Sequence, residues 1–584
     1  MAYVFILLLA CWTASGQSVL VVSPSGDRPS VSAECPECPA LREADGFALE
    51  PWIRIRFDAP ADPNLLSSRI QVRWGATRQT DGFTTYPSGY LMPINLVAWE
   101  PSSNTLYAKP DEALDHDRDY TILYNNEPIS RFHTRNVTRA ILSRRLGPAG
   151  TLRRTVASTI DISEVRSITA LNQTAASTAS PLTSSAFPAE PGFLAQLGLR
   201  RLVALDFESS RGDRVAVHAW LPNSPKPAGG WPVKLIGHGL FDSRFSGPTL
   251  FASAFIGNSV VMAIDAVGHG YGPNSVLRFE RTDGGRVDLP TQGRGRDINN
   301  DGRIEPAEGC ILIAPGNPDF INTCLRETAL DYQKLVREIQ NNIDLDGDPV
   351  PDLDSNSVQY LGQSLGAMYG TILTAIEPSV DSAVLNVGGG STTEISRSST
   401  LIKGLLDQYL AAFYPQLAGV GDPLLARFAP SRNITPNQAA YLEMLDRIAI
   451  IEAPAAPASF APFLKQATLF GNPIKRVLFQ YATGDQSIPN NANGQLIRSA
   501  FEYELVSVYR HDLARRAVPN LPENPHAYMA AFAQLDPSSL LIALATLTQA
   551  SDFLASGRRE VPDVNGLVRP IFRQNLFETP ILIP

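Results

Sequence analysis

Between residues 40 and 136, apolar and polar residues alternate in short bursts. Ile53, Ile55 and Phe57 alternate with Arg54 and Arg56, and Ile70, Val72 and Trp74 repeat the pattern. Leu96-Val97-Ala98-Trp99 follows, and then Tyr120, Ile122 and Tyr124, with turn clusters at 58–62 and 101–104 between the bursts. A period of two places one face of each strand in a core and the other in water. About seven such strands in so short a stretch predict a β-sandwich over 40–136. Residues 137–195 lack this pattern, and Ser, Thr, Ala and Pro dominate 174–188, so the stretch reads as a linker laid over the surface.

From residue 196 the rhythm changes to unbroken apolar runs. Residues 202–207 and 215–221 read as a leading hairpin, followed by runs at 233–239, 260–265, 358–362, 383–388 and 477–481 with helical stretches between them. Strands apolar on both faces belong to a mostly parallel sheet covered by helices on either side. In such a sheet, active groups sit at the carboxyl ends of the strands. The insertion at 391–475 is longer than a crossover requires. Leu401, Ile402, Leu405, Leu406, Tyr409, Leu410 and Phe413 stand at helical spacing, and a second apolar helix covers 439–451. These predict a helical cap over the site, with plain packing helices as the alternative.

At 584 residues the chain exceeds one core, which agrees with two domains. There are 58 acidic and 49 basic residues, a net charge of −9, and no basic cluster backed by a nucleic-acid motif, which disfavours nucleic acid as a partner. The apolar run 4–12 followed by Ala14-Ser15-Gly16 reads as an export signal over 1–16. No Lys or Arg precedes that run, which points to a start further upstream. Leu8-Leu9-Ala10-Cys11 resembles a bacterial lipobox, in which Cys11 would be lipidated and tether the protein to a membrane surface; an ordinary cleaved signal is the alternative. The remaining cysteines, Cys35 with Cys38 and Cys310 with Cys324, are expected to pair locally as disulfides in an oxidising compartment.

The chemistry centres on Gly362-Gln363-Ser364-Leu365-Gly366, a G-x-S-x-G turn between a buried strand and a helix. A serine hydroxyl is a weak nucleophile unless an imidazole takes its proton and a carboxylate fixes the imidazole. In this fold the chain order is serine, acid, histidine. Of the two histidines after Ser364, His526 lies in a turn-rich loop before the last long helix, whereas His511 reads as part of a charged surface. Asp485 follows the strand at 477, between a glycine and a proline turn. Oxyanion stabilisation is expected from the N–H of Leu365 and from a second donor at Leu240 or Gly239, with His238 holding that turn.

Residues 297–308 fit the twelve-residue calcium loop, with Asp297, Asn299, Asp301, Arg303 (through its backbone carbonyl), Glu305 and Glu308 at ligand positions and Gly302 at the sixth place. Asp344, Asp346, Asp348, Asp352 and Asp354 form a second, less regular acidic cluster that is a further calcium candidate. Both read as structural sites, and no organic cofactor is implied.

Gly237-His238-Gly239, the Ser364 turn, Gly484-Asp485 and Asn524-Pro525-His526 together resemble the α/β-hydrolase superfamily, and within it the secreted bacterial lipases and lysophospholipases with an Ig-like front domain. Phe57-Asp58, Trp99-Glu100-Pro101 and Asp119-Tyr120 resemble such Ig-like domains. The resemblance implies a two-domain exported serine hydrolase acting on lipid esters, extracellular or held at the cell surface as a lipoprotein. The alternatives are hydrolysis of another acyl bond, in a peptide or polyester, and a calcium-stabilised binding protein with an inactive hydrolase fold.

Overall fold

The computed structural model describes residues 18–584 apart from 32–34, 78–90, 93, 111–112, 157–158, 173–179, 182–190, 246, 256, 271, 299–301, 303, 305–307, 311–319, 342, 347, 349, 424–431, 470 and 535. The export segment with Cys11 and nearly all of 174–188 lie outside the described residues. The chain divides into two compact units, one of Met1–Val137 with Ser396–Ser398 and Lys403–Pro454, the other of Thr138–Ile395, Ser399–Ile402 and Ala455–Pro584.

The first unit holds β1 (Val19–Ser23), β2 (Ile53–Phe57), β3 (Ile70–Thr77), β4 (Leu91–Met92), β5 (Ile94–Glu100), β6 (Thr105–Pro110), β7 (Arg118–Tyr124) and β8 (Glu127–His133). They form two sheets, β1-β2-β6-β5 and β4-β3-β7-β8, with antiparallel pairing throughout. Ile53, Ile55, Phe57, Val97, Trp99 and Leu106 of one sheet share a core with Ile70, Val72, Trp74, Tyr120, Ile122 and Tyr124 of the other. The alternation thus folds as the expected sandwich, extended at its front by β1. A disulfide between Cys35 and Cys38, with Cα atoms 5.0 Å apart, closes the turn that carries Glu37.

The expected cap is corrected by where its apolar faces go. On the helices Lys403–Phe413 and Pro436–Glu452, Leu406, Tyr409, Leu410, Tyr441, Leu442 and Leu445 cluster with Trp52, Ala98 and Tyr107 of the first unit. Ile450 and Ile451 join the sandwich core, and Arg432–Asn433 pairs parallel to β5. The buried Glu37 carboxylate accepts hydrogen bonds from Tyr409 (2.6 Å) and Tyr414 (2.5 Å). Helical spacing says that a stripe will be buried but not against what. The second helix starts at Thr435 because a capping box with Gln438 satisfies its first N–H groups, a device worth about 1 kcal/mol. Residues 455–475 belong instead to the second unit, where Pro457–Phe460 packs on the helix after Ser364.

The second unit is built on β9 (Arg201–Glu208), β10 (Arg214–Leu221), β11 (Trp231–Gly237), β12 (Val260–Ile264), β13 (Leu353–Gln363), β14 (Val380–Asn386), β15 (Arg476–Ala482), β16 (Val506–Tyr509) and β17 (Phe577–Glu578). Their order in the sheet is β9-β10-β12-β11-β13-β14-β15-β16-β17. Pairing is parallel from β12 to β16 and antiparallel at both margins. The linker expectation for 137–195 is corrected here: Arg153–Arg154 and Ile160–Asp161 pair with β9, and Val165–Asn172 pairs with Val276–Arg281. These strands are too short or too polar to stand out from a loop in the sequence. One described helix, Pro537–Ser556, is apolar and long enough to cross a membrane, but Ala543, Leu547, Ala550, Phe553 and Leu554 bury it against Ile236, Leu361, Val384 and Leu478 of the sheet.

Candidate active site

The site is set at the bend after β13. Ser364 has φ 57° and ψ −118°, a left-handed conformation that projects its hydroxyl from a tight strand-to-helix turn. The turn exists because two glycines permit close approach. A Cβ on Gly362 would lie 2.3 Å from the Gly366 carbonyl oxygen, and one on Gly366 would lie 2.3 Å from that of Gly237. Three buried phenols brace the same backbone: Tyr360 donates to Gly366 O (2.6 Å), Tyr332 to Ile236 O (2.7 Å) and Tyr369 to His238 O (3.2 Å). Burial holds the Tyr360 and Tyr369 hydroxyls well above the ordinary phenol range, so they remain donors.

Ser364 Oγ lies 2.8 Å from His526 Nε2, and His526 Nδ1 lies 2.8 Å from Asp485 Oδ2. With Nδ1–H donating to the carboxylate, Nε2 is left to accept the serine proton. Asp485 follows β15, and its other oxygen accepts the N–H groups of Ser487 and Ile488, both at 2.9 Å. The carboxylate is fully buried, and donors meet both of its oxygens. All three residues expected from the chain order therefore meet in one hydrogen-bonded row.

Asn524, two residues ahead of His526, has a structural role of its own. Its Oδ1 accepts the N–H of Gln486 (3.1 Å) and of His526 (3.2 Å), and its Nδ2 donates to Ser487 Oγ (3.0 Å). It joins the loop of the acid to the loop of the histidine. An Asx turn two residues ahead of a histidine is the only local signal that marks it.

The second loop beside the serine comes from the end of β11. A Cβ on Gly239 would lie 3.6 Å from Ser364 Cβ, so this backbone runs alongside Ser364. His238 Nδ1–H donates to Gly239 O (2.8 Å), and His238 Nε2 accepts the Ala266 N–H (2.9 Å). A planar trans peptide points its C=O and N–H in opposite directions, so anchoring Gly239 O turns the Leu240 N–H away from the imidazole. Among the described residues, the N–H groups of Gly239, Leu240 and Leu365 have no acceptor in the chain. His511 departs from its expected exposed role: it is buried, with Nδ1 3.2 Å from Tyr509 Oη and Nε2 2.9 Å from Pro522 O. The aromatic packing around Tyr509 and Tyr528, not its own charged neighbours, decides its place.

In the first calcium-type loop, Asn299, Asp301, Arg303 and Glu305 lie outside the described residues. Asp297 Oδ2 accepts the Gly302 N–H (2.9 Å), Glu308 Oε1 accepts the Ile298 N–H (2.7 Å), and Gly302 has φ 80°. The first and last carboxylates therefore both accept backbone N–H groups of the loop. Cys310, just beyond, is bonded to Cys324 with Cα atoms 5.2 Å apart. In the second cluster the Lys226 ammonium sits 2.5 Å from Asp352, 3.2 Å from Asp348 and 3.8 Å from Asp346, so the chain supplies a cation of its own there. Asp354 turns aside to cap the Asn356 N–H, and Asp344 lies with Asp346 and Asp348 at the exposed rim.

No family model and no curated protein matches the chain. Among solved structures, it is similar to acetyl xylan esterase 1 from Thermoanaerobacterium sp., with 16% identity over 61% of this chain and 89% of that one and a TM-score of 0.33. It is also similar to an acetyl xylan esterase from Paenibacillus sp. (12% identity, 53% and 77% covered, TM-score 0.34) and to a thermostable esterase from Pseudomonas putida (12% identity, 62% and 86% covered, TM-score 0.32).

Proposed function

We propose that the second unit is an α/β-hydrolase-type serine hydrolase that cleaves carboxylic esters, with lipid esters as its substrates. The observation that carries this is the row Ser364 Oγ, His526 Nε2, His526 Nδ1, Asp485 Oδ2, each link 2.8 Å, behind a serine held at φ 57°. Ser364 Oγ attacks the ester carbonyl as His526 takes its proton. The tetrahedral oxyanion accepts the Leu365 N–H and that of Leu240, with Gly239 beside it. Each such donor is worth about 3 kcal/mol in a transition state. His526 then returns the proton to the departing alkoxide. Water, deprotonated by the same imidazole, releases the acyl group from Ser364.

Around this core we read calcium as structural, held by Asp297, Asn299, Asp301, Arg303, Glu305 and Glu308. Chelation then lowers Tm while initial turnover of still-folded protein is unchanged. We read the protein as exported, either cleaved free or tethered through lipidated Cys11; release from membranes by Cys11→Ser marks the tether, and an unchanged distribution marks the ordinary cleaved signal. The deciding experiment is hydrolysis of p-nitrophenyl esters from acetyl to palmitoyl by the native protein and by Ser364→Ala. Serine-dependent turnover rising with chain length supports the lipid-ester reading. Absence of turnover on every ester from folded, calcium-loaded protein refutes it.

A further inference from the structure

We infer that Phe241 is the surface on which the apolar part of the substrate packs, making it a specificity-determining residue for esters that carry an extended hydrocarbon group; this rests on the ester-hydrolase reading above. Three neighbouring strands of the sheet are followed by non-glycine residues with left-handed backbones: Phe241 after β11 (φ 65°), Ser364 after β13 (φ 57°) and Val387 after β14 (φ 47°). In this region Cβ crowds the following carbonyl, so a bulky residue stays there only when its surroundings impose it.

Two of the three have visible causes. Ser364 is the bend itself. Val387 is fully buried among Ala482, Tyr509 and Tyr528, and its N–H is tied to Gln480 O at 2.7 Å. Phe241 has no such packing, since 48% of its surface faces solvent. Its turn is nevertheless fixed on both sides. Gly239 O accepts His238 Nδ1–H (2.8 Å) and the Asp242 N–H (3.3 Å), while Asp242 Oδ1 accepts the N–H groups of Ser243 (2.7 Å) and Gly247 (3.3 Å).

A fixed turn thus presents an exposed phenyl group one residue beyond Leu240. It is two residues beyond Gly239, which runs alongside Ser364. Two residues of chain span at most about 7 Å, within reach of the acyl or alcohol portion of an ester held at the serine. An aromatic ring with few rotatable bonds on an anchored turn offers large apolar area at little cost in side-chain entropy. A short polar ester makes no use of it, and a long acyl chain does.

The test compares kcat/KM for p-nitrophenyl octanoate and acetate in the native full chain and in Phe241→Ala, Phe241→Gly and Phe241→Leu, with Tm for each. The octanoate-to-acetate ratio is expected to fall about tenfold or more in the alanine and glycine variants, mainly through KM, and to recover in part with leucine. Phe241→Gly is expected to keep Tm at or above the native value, because glycine adopts φ 65° without strain. An unchanged ratio, or equal losses on both esters, overturns the inference while leaving the serine mechanism standing. No turnover of either ester by the native protein overturns the ester reading and the inference with it.

Discussion

The two units bury carboxylates for opposite ends. In the second unit, buried Asp485 is surrounded by three donors, the Ser487 and Ile488 N–H groups and His526 Nδ1. In the first unit, buried Asp446 accepts the Trp52 N–H at 2.9 Å, and burial pushes it up to about 6 despite Arg54 and Arg447 nearby. The difference teaches what each interior is for: one aims a fully bonded carboxylate at an imidazole, the other ties together chain segments far apart in sequence. The sharpest break of this comparison is Asp485→Asn. Asparagine keeps an acceptor for Ser487 and Ile488 but offers His526 the wrong partner, so kcat is expected to drop about 10⁴-fold with Tm little changed. A large loss of Tm with kcat per folded molecule retained would make Asp485 structural like Asp446.

Covalent links extend the contrast. Cys310 and Cys324 are 14 residues apart, whereas Cys35 and Cys38 are 3 apart. In the chain-entropy picture the longer loop contributes about 3 kcal/mol and the shorter about 2 kcal/mol. Double serine variants of each pair, compared by urea denaturation, are expected to rank in that order. The shorter link's work is local: it shapes the turn that delivers Glu37 to Tyr409 and Tyr414.

The second unit was largely legible because its chemistry is written locally. The apolar runs at β11 to β15 are long enough to read as buried strands, and Gly362, Gly366 and Gly484 mark the bends where Ser364 and Asp485 stand. The sandwich strands were legible from alternation alone. The destination of the helices 403–413 and 436–452 was not, because Leu406, Tyr409 and Leu410 fit any apolar surface, and their partners Trp52, Ala98 and Tyr107 lie some 300 residues upstream or more. Asn524 and Phe241 escaped for a related reason: an amide clamp and a strained exposed ring are properties of geometry, and residue type does not announce them.

Asp446 gives a way to test the first unit by itself. A carboxyl whose folded pKa is about 6, against about 4 in the unfolded chain, binds its proton more tightly when folded. Its contribution therefore favours folding below pH 4 and is lost as pH rises through 6, the reverse of a salt-bridged aspartate. Asp446→Asn keeps the acceptor for Trp52 and removes the charge. At pH 8 it is expected to stabilise the protein by roughly 2–3 kcal/mol, and to flatten the stability profile between pH 4 and 6. Unchanged stability at pH 8 would mean that burial does not raise Asp446, and would dissolve the contrast.

Asn524 tests the second unit at finer grain. Its amide couples the Gln486–Ser487 backbone to that of His526, so the loops of Asp485 and His526 are tied by one side chain that bonds to neither Ser364 Oγ nor His526 Nε2. Asn524→Ala removes both acceptors and the donor at once, while Asp485 keeps its own bonds to Ser487 and Ile488. The two loops can then drift relative to each other by a fraction of an ångström, and misplacement of about 1 Å costs on the order of 100-fold in rate. The expected loss is therefore about 10- to 100-fold, in kcat and not in KM. Asn524→Asp restores the acceptors for both N–H groups, and Ser487 Oγ can turn to donate to it, so most of kcat is expected to return. If the alanine variant loses Tm but keeps kcat per active site, as counted by burst titration, the clamp merely holds the fold. If kcat falls and aspartate brings it back, the second unit has placed even its loop-to-loop contacts in the service of the Ser364–His526 distance.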